Sequence, residues 1–149
     1  MYKEVMEFNK ARNQLKWDMS LELNMIREEI KEFWDAETVS ERMDAFVDTE
    51  YVWIGTQMKA SYNTTALSDE LVNSVRQTLG IMGDILAEEL GMWMAECYNN
   101  ARSIVCEINA MKGTKKTEGG KVEKHKGLRD ATKEIALMIE AVTKPTREY

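Results

Sequence analysis

The stretch that decides the fold runs from Met19 to Thr56 and reads MSLELNMIREEIKEFWDAETVSERMDAFVDTEYVWIGT. Apolar residues recur in it every three or four positions, the period of a helix with one buried face. Met25, Ile26, Ile30 and Phe33 fall on one arc of a helix spanning about 18–36. Met43, Phe46, Val47, Tyr51, Val52 and Ile54 mark a second helix ending near Lys59. The link around Glu37–Ser40 is short, and Ser40 is the expected N-cap of the second helix. Helices joined so closely run antiparallel as neighbours.

Acidic residues sit where core residues belong on both helices. With Glu29 as the centre of a helical wheel, Met25 and Phe33 lie about 40° to either side and Glu32 about 60° away. Glu28 falls about 100° off and faces outward. With Asp48 as the centre, Asp44 and Val52 lie about 40° to either side. Glu41 shares that side, but it stands too near the helix start for its direction to be fixed. The hairpin should therefore bring Glu29 and Glu32 opposite Asp44 and Asp48. Carboxylates crowded in a partly buried cleft must either take up protons or be neutralised by a cation. Oxygen-only ligands suit a hard divalent ion, Mg²⁺ above all where substrate phosphates complete the shell. The competing reading is that these are solvated charges on an acid-rich helix.

Outward from the hairpin the chain continues as helices. A short one spans about Lys3–Arg12. SYNTTALSDE (61–70) reads as a loop whose Ser68 caps a helix over about 69–90, with Asp69 and Glu70 favoured in its first turn. Gly80 and Gly83 weaken the middle of that helix, and Gly91 either ends or kinks it. Further helices span about 92–111 and 129–142, separated by a Lys/Gly-rich loop at 113–127. Pro145 follows, and the tail 143–149 is expected to fray. One proline and eight glycines in 149 residues argue against a multi-turn β architecture. The expectation is a single all-α domain over 1–149, an antiparallel helical bundle.

Several classes fall away. No apolar run approaches membrane-spanning length, and the charged N-terminus MYKEVMEFNK is no secretory signal. Cys97 and Cys106 lie nine residues apart on opposite faces of one helix, cannot pair with each other, and suit a reducing, cytoplasmic setting. A di-iron bundle needs a Glu-x-x-His pair from each of two helices, and His125 is the only histidine. GTKKTEGGK (113–121) lacks the spacing and the preceding strand of a Walker lysine loop. Net charge is −10 over residues 1–111 and +4 over 112–149. That asymmetry fits a metal-binding body with a phosphate-reaching tail, and equally a simply soluble surface. An overall charge of −6 weighs against nucleic-acid binding through the lysine-rich loop.

REEIKEFWDA (27–36) followed by ERMDAFVDTEYVWIGT (41–56) resembles the all-α nucleoside triphosphate pyrophosphohydrolases. This is the superfamily of MazG, the dimeric dUTPases and phosphoribosyl-ATP pyrophosphohydrolase, whose hallmark is Glu-x-x-Glu on one helix and Glu-x-x-Asp on the next. Glu29 and Glu32 meet the first half. The second departs, with Ala45 three before Asp48 and Asp44-x-x-x-Asp48 in its place, a variant similar to small MazG-like proteins of phages and bacteria. Spacings of three and four stay on one helical face. VCEINAMKG (105–113) and GGKVEKHKG (119–127) resemble further segments of this subgroup, pointing to Asn109, Lys112, Lys121 and Lys124. The resemblance covers about 5–58 and 92–127, leaving about 60–90 as an inserted helical segment.

The resemblance implies cleavage of a nucleoside triphosphate to the monophosphate and pyrophosphate. Glu29, Glu32, Asp44 and Asp48 would hold Mg²⁺, with Mn²⁺ as a substitute, and Glu29 or Glu32 would orient or deprotonate the attacking water. Asn109 would meet sugar or base, and Lys112, Lys121 and Lys124 the triphosphate. Competing structural roles are a polar helix end for Asn109 and a solvated basic loop for the lysines. His125, Lys115, Lys116 and Lys126 read as solvated, and Trp17, Trp34, Trp53 and Trp93 as core or subunit interface. The superfamily builds its site between subunits, which implies a homodimer or homotetramer. The alternative is a catalytically inactive regulator on the same fold that binds nucleotide or a partner protein.

Overall fold

A computed structural model describes residues 1–112 and 129–144. Among the described residues it contains α1 (Tyr2–Ala11), α2 (Met19–Asp35), α3 (Val39–Tyr62), α4 (Asp69–Leu90), α5 (Met94–Ala110) and α6 (Ala131–Thr143), with no strand. The architecture is all-α, as the periodicity requires. No described helix is long and apolar enough to cross a membrane.

Side-chain caps start most of these helices. Asp18, Thr38, Ser68 and Asp130 each accept a bond from the backbone N–H three residues on, at the starts of α2, α3, α4 and α6. The cap of α3 is a correction: it is Thr38, and Ser40 is buried inside the first turn. The sequence signal was Thr38-x-x-Glu41, a capping-box spacing. Glu41 N–H donates to Thr38 Oγ1 at 3.2 Å, and that hydroxyl donates to Glu41 Oε1 at 2.9 Å.

The end of α3 is a second correction. The helix runs on to Tyr62, so only 63–68 remains as the loop expected over SYNTTALSDE. Thr64 takes a positive φ of 51°, Thr65 N–H reaches back to Ala60 O at 2.8 Å, and Asn63 Nδ2 donates to Lys59 O and Leu15 O. This is a Schellman-type stop built without glycine. Gly91 ends α4 with φ +55°, and a 3-10 turn at Gly91–Trp93 leads into α5.

α3 is the central helix. It pairs most extensively with α2 and also touches α1, α4, α5 and α6. Its Met43, Phe46, Val47, Tyr51 and Met58 join Val5, Phe33, Met82, Leu86, Cys97, Val105 and Ile135 in the main core. Trp53 joins Ile26 and Val75 in a smaller cluster against the first half of α4. Met82, Leu86 and Leu90 make α4 part of the core. Trp34 is 53% exposed and Trp93 38% exposed. Cys97 and Cys106 are both free thiols.

Candidate metal centre

The α2–α3 hairpin is antiparallel, and its polar contacts report the register. Early on α2, Glu22 meets Thr56 and Lys59, late on α3. Further along α2, Glu29 and Glu32 meet Asp48, in the first half of α3. Carboxylate oxygens of Glu29, Glu32 and Asp48 lie within 4.8 Å of one another. Glu29 is buried, Asp48 half-buried and Glu32 exposed, so the group opens from the core toward solvent. Glu28 is exposed, as its place on the wheel requires.

Asp44 stands one turn before Asp48 and outside that group of three. Its Oδ2 accepts from Thr132 Oγ1 of α6 at 3.0 Å. Its Oδ1 is buried and has no hydrogen-bond partner among the described residues. A cleft of about 290 Å³ lies here, lined by Glu32, Asp35, Ala36, Glu41, Asp44, Ala45 and Thr132. Ala45, three residues before Asp48, is buried.

Electrostatics follow from the crowding. Burial pushes the Asp48 carboxyl well above the usual carboxylate range, and the charges of Asp44, Glu29 and Glu32 push the same way. Burial also raises Asp44, opposed by the Thr132 hydrogen bond and assisted by Glu32 and Asp130. The Lys112 ammonium pulls both aspartates down. The donor set therefore fits a hard divalent cation: it is all oxygen and partly desolvated, with the buried Oδ1 of Asp44 beside it unpartnered among the described residues.

The sequence-expected substrate residues divide. Lys112, two residues past α5, acts electrostatically on both aspartates. Asn109 is buried in the last turn of α5, where its carbonyl accepts from Arg12. Lys121, Lys124 and His125, with the rest of the 113–127 loop, lie outside the described residues, as does the tail from Pro145.

Sequence reasoning missed three contributors. Thr132 holds Asp44 from α6 and carried no signal in the chain. Arg129 joins the end of α5 to the start of α6, donating to Glu107 Oε1 at 2.7 Å and to Glu134 Oε2 at 2.8 Å. Arg12, 7% exposed, crosses from α1 to the end of α5. Compared with models of known protein families, with curated proteins and with solved structures, the chain matches none.

Proposed function

We propose that the chain is a Mg²⁺-dependent nucleoside triphosphate pyrophosphohydrolase of MazG-like type, releasing a nucleoside monophosphate and pyrophosphate. The observation that carries this reading is the convergence of Glu29, Glu32 and Asp48 oxygens within 4.8 Å, at the edge of a cleft that Glu32 and Asp44 line. A divalent ion held by Glu29, Glu32 and Asp48, with Asp44, would supply charge neutralisation on phosphate oxygens and an acidified water. Glu32, the most exposed of the group, is placed to orient an attacking water or take its proton. Thr132 holds Asp44, so that carboxylate need not be ordered when substrate arrives. Lys112 offers the triphosphate a positive charge that both aspartates feel. In this reading the exposed Trp34 and Trp93 belong to a surface between subunits of a homodimer or homotetramer.

A panel of nucleoside triphosphates with Mg²⁺, read for pyrophosphate against orthophosphate, tests the reaction. Pyrophosphate and monophosphate in equal amounts are expected. Orthophosphate alone would exclude cleavage between the α and β phosphates. Binding of nucleotide without turnover would instead support the regulator reading, which the replacement of Glu by Ala45 in the acidic motif favours.

A further inference from the structure

The first turn of α6 is anchored from three sides. Ile135, fully buried, and Ile139 seat the helix in the main core, where α6 packs on α3 and α5. Asp130 caps it, with Oδ1 accepting from the Lys133 N–H at 3.2 Å. Arg129 braces the same end, donating to Glu107 of α5 at 2.7 Å and to Glu134 of α6 at 2.8 Å. Thr132 lies in this turn, and its hydroxyl donates to Asp44 Oδ2 of α3 at 3.0 Å. The other oxygen of Asp44 is buried without a hydrogen-bond partner among the described residues. Thr132, Asp44 and Glu32 line one cleft, and Glu32 is itself one of the three carboxylates whose oxygens converge within 4.8 Å. α6 thus reaches the acidic group through a direct bond and a shared wall.

A carboxylate with both oxygens free turns about its last torsion and must be ordered when an ion binds. A hydrogen bond from an anchored helix fixes the plane of the group in advance. We propose that Thr132 is a positioning residue of the cation site: by fixing the Asp44 carboxylate it strengthens the hold of the α2–α3 carboxylates on a divalent cation, and the bound cation in turn tightens the seating of α6. The inference rests on the metal reading of that group. Thr132 touches neither ion nor substrate and acts only through Asp44. The second half follows from the first, because two interactions that favour each other do so by the same factor. Valine in place of Thr132 keeps the shape and loses the donor, whereas serine keeps the donor.

The test is a Mn²⁺ titration of the full chain, followed by the paramagnetic signal of free Mn²⁺. Thr132→Val should weaken Mn²⁺ binding by about tenfold, and Thr132→Ser should stay within about twofold of wild type. Asp44→Asn leaves the other three carboxylates in place, and adding Thr132→Val to it should change nothing further, because the group that Thr132 positions is gone. Saturating Mg²⁺ should slow amide hydrogen exchange along α6 by about tenfold in wild type and leave it unchanged in Thr132→Val. Should Thr132→Val fail to give the wild-type far-ultraviolet spectrum, Thr132→Ala replaces it in the cycle. Wild-type affinity in a folded Thr132→Val would overturn the proposal. So would an equal loss with and without the Asp44 carboxylate, a serine variant as weak as the valine one, or exchange in α6 that Mg²⁺ slows equally in both proteins. A wild-type chain that binds no Mn²⁺ would instead overturn the metal reading, and this inference with it.

Discussion

The two ends of the α2–α3 hairpin handle buried acid in opposite ways. At one end Glu22 is 3% exposed and fully served: Lys59 Nζ lies 2.7 Å from Oε2, and Thr56 Oγ1 donates to Oε1 at 2.7 Å. At the other end Glu29, Glu32 and Asp48 crowd together beside Asp44, and the cation acting on the two aspartates, Lys112, comes from outside the hairpin, just past α5. The same pair of helices thus neutralises a buried carboxylate where only structure is at stake. It leaves several carboxylates crowded against one another where an ion and a substrate are proposed to arrive. An internal lysine locks register; an open acidic cluster creates a demand for a ligand.

The largest expected effect breaks the open end. Glu32→Gln and Asp48→Asn should each lower pyrophosphate release by about a hundredfold or more, with helix content unchanged in far-ultraviolet dichroism. Turnover at the wild-type rate in both variants would remove the acidic cluster from the reaction.

The closed end should answer in stability. Lys59→Met strands Glu22 in the core and should cost about 3 kcal/mol in urea unfolding. Glu22→Leu combined with Lys59→Met should recover most of that loss, because two apolar groups replace a pair that had to be desolvated. A double variant as weak as the single would show that Glu22 and Lys59 do more than answer each other.

A smaller effect sharpens the contrast through pH. Asp48 has a folded pKa raised above its unfolded value of about 3.9. The folded state therefore holds the proton more tightly, and stability falls as pH rises from about 4 through the folded pKa. Asp48→Asn removes that penalty. In chelator it should be more stable than wild type at pH 7, the difference vanishing below about pH 4, the unfolded pKa. Equal pH dependence in the two proteins, measured by thermal unfolding, would show that Asp48 is not strained by its surroundings.

The wheel made the open end legible, because Glu29 and Asp48 lay among apolar residues at helical spacing and indeed face inward. The same wheel held an unused signal for the closed end. Glu22 falls about 20° from Glu29, and Lys59 about 20° from Asp48, so a buried acid and a buried base shared the two facing stripes. Helix ends were less legible. Ser40 and Thr38 are both good caps by type, and only the glutamate three residues after Thr38 separates them. The stop after Tyr62 uses a left-handed threonine, a position where sequence patterns look for glycine. Arg12 and Thr132 were not legible at all. Arg12 reaches carbonyls 97 to 100 residues away, and Thr132 reaches an aspartate 88 residues away, contacts that exist only once the helices have packed.

Activity of the proposed kind requires the open end to be a specific site for a divalent cation. Thermal unfolding of wild type and Glu29→Gln across a Mg²⁺ series at constant ionic strength asks this directly. A ligand that binds only the folded chain raises its midpoint with concentration. The wild-type midpoint should climb steadily with Mg²⁺ while that of Glu29→Gln stays nearly flat. Parallel curves, whether both rise or neither does, would contradict a metal centre at Glu29, Glu32 and Asp48.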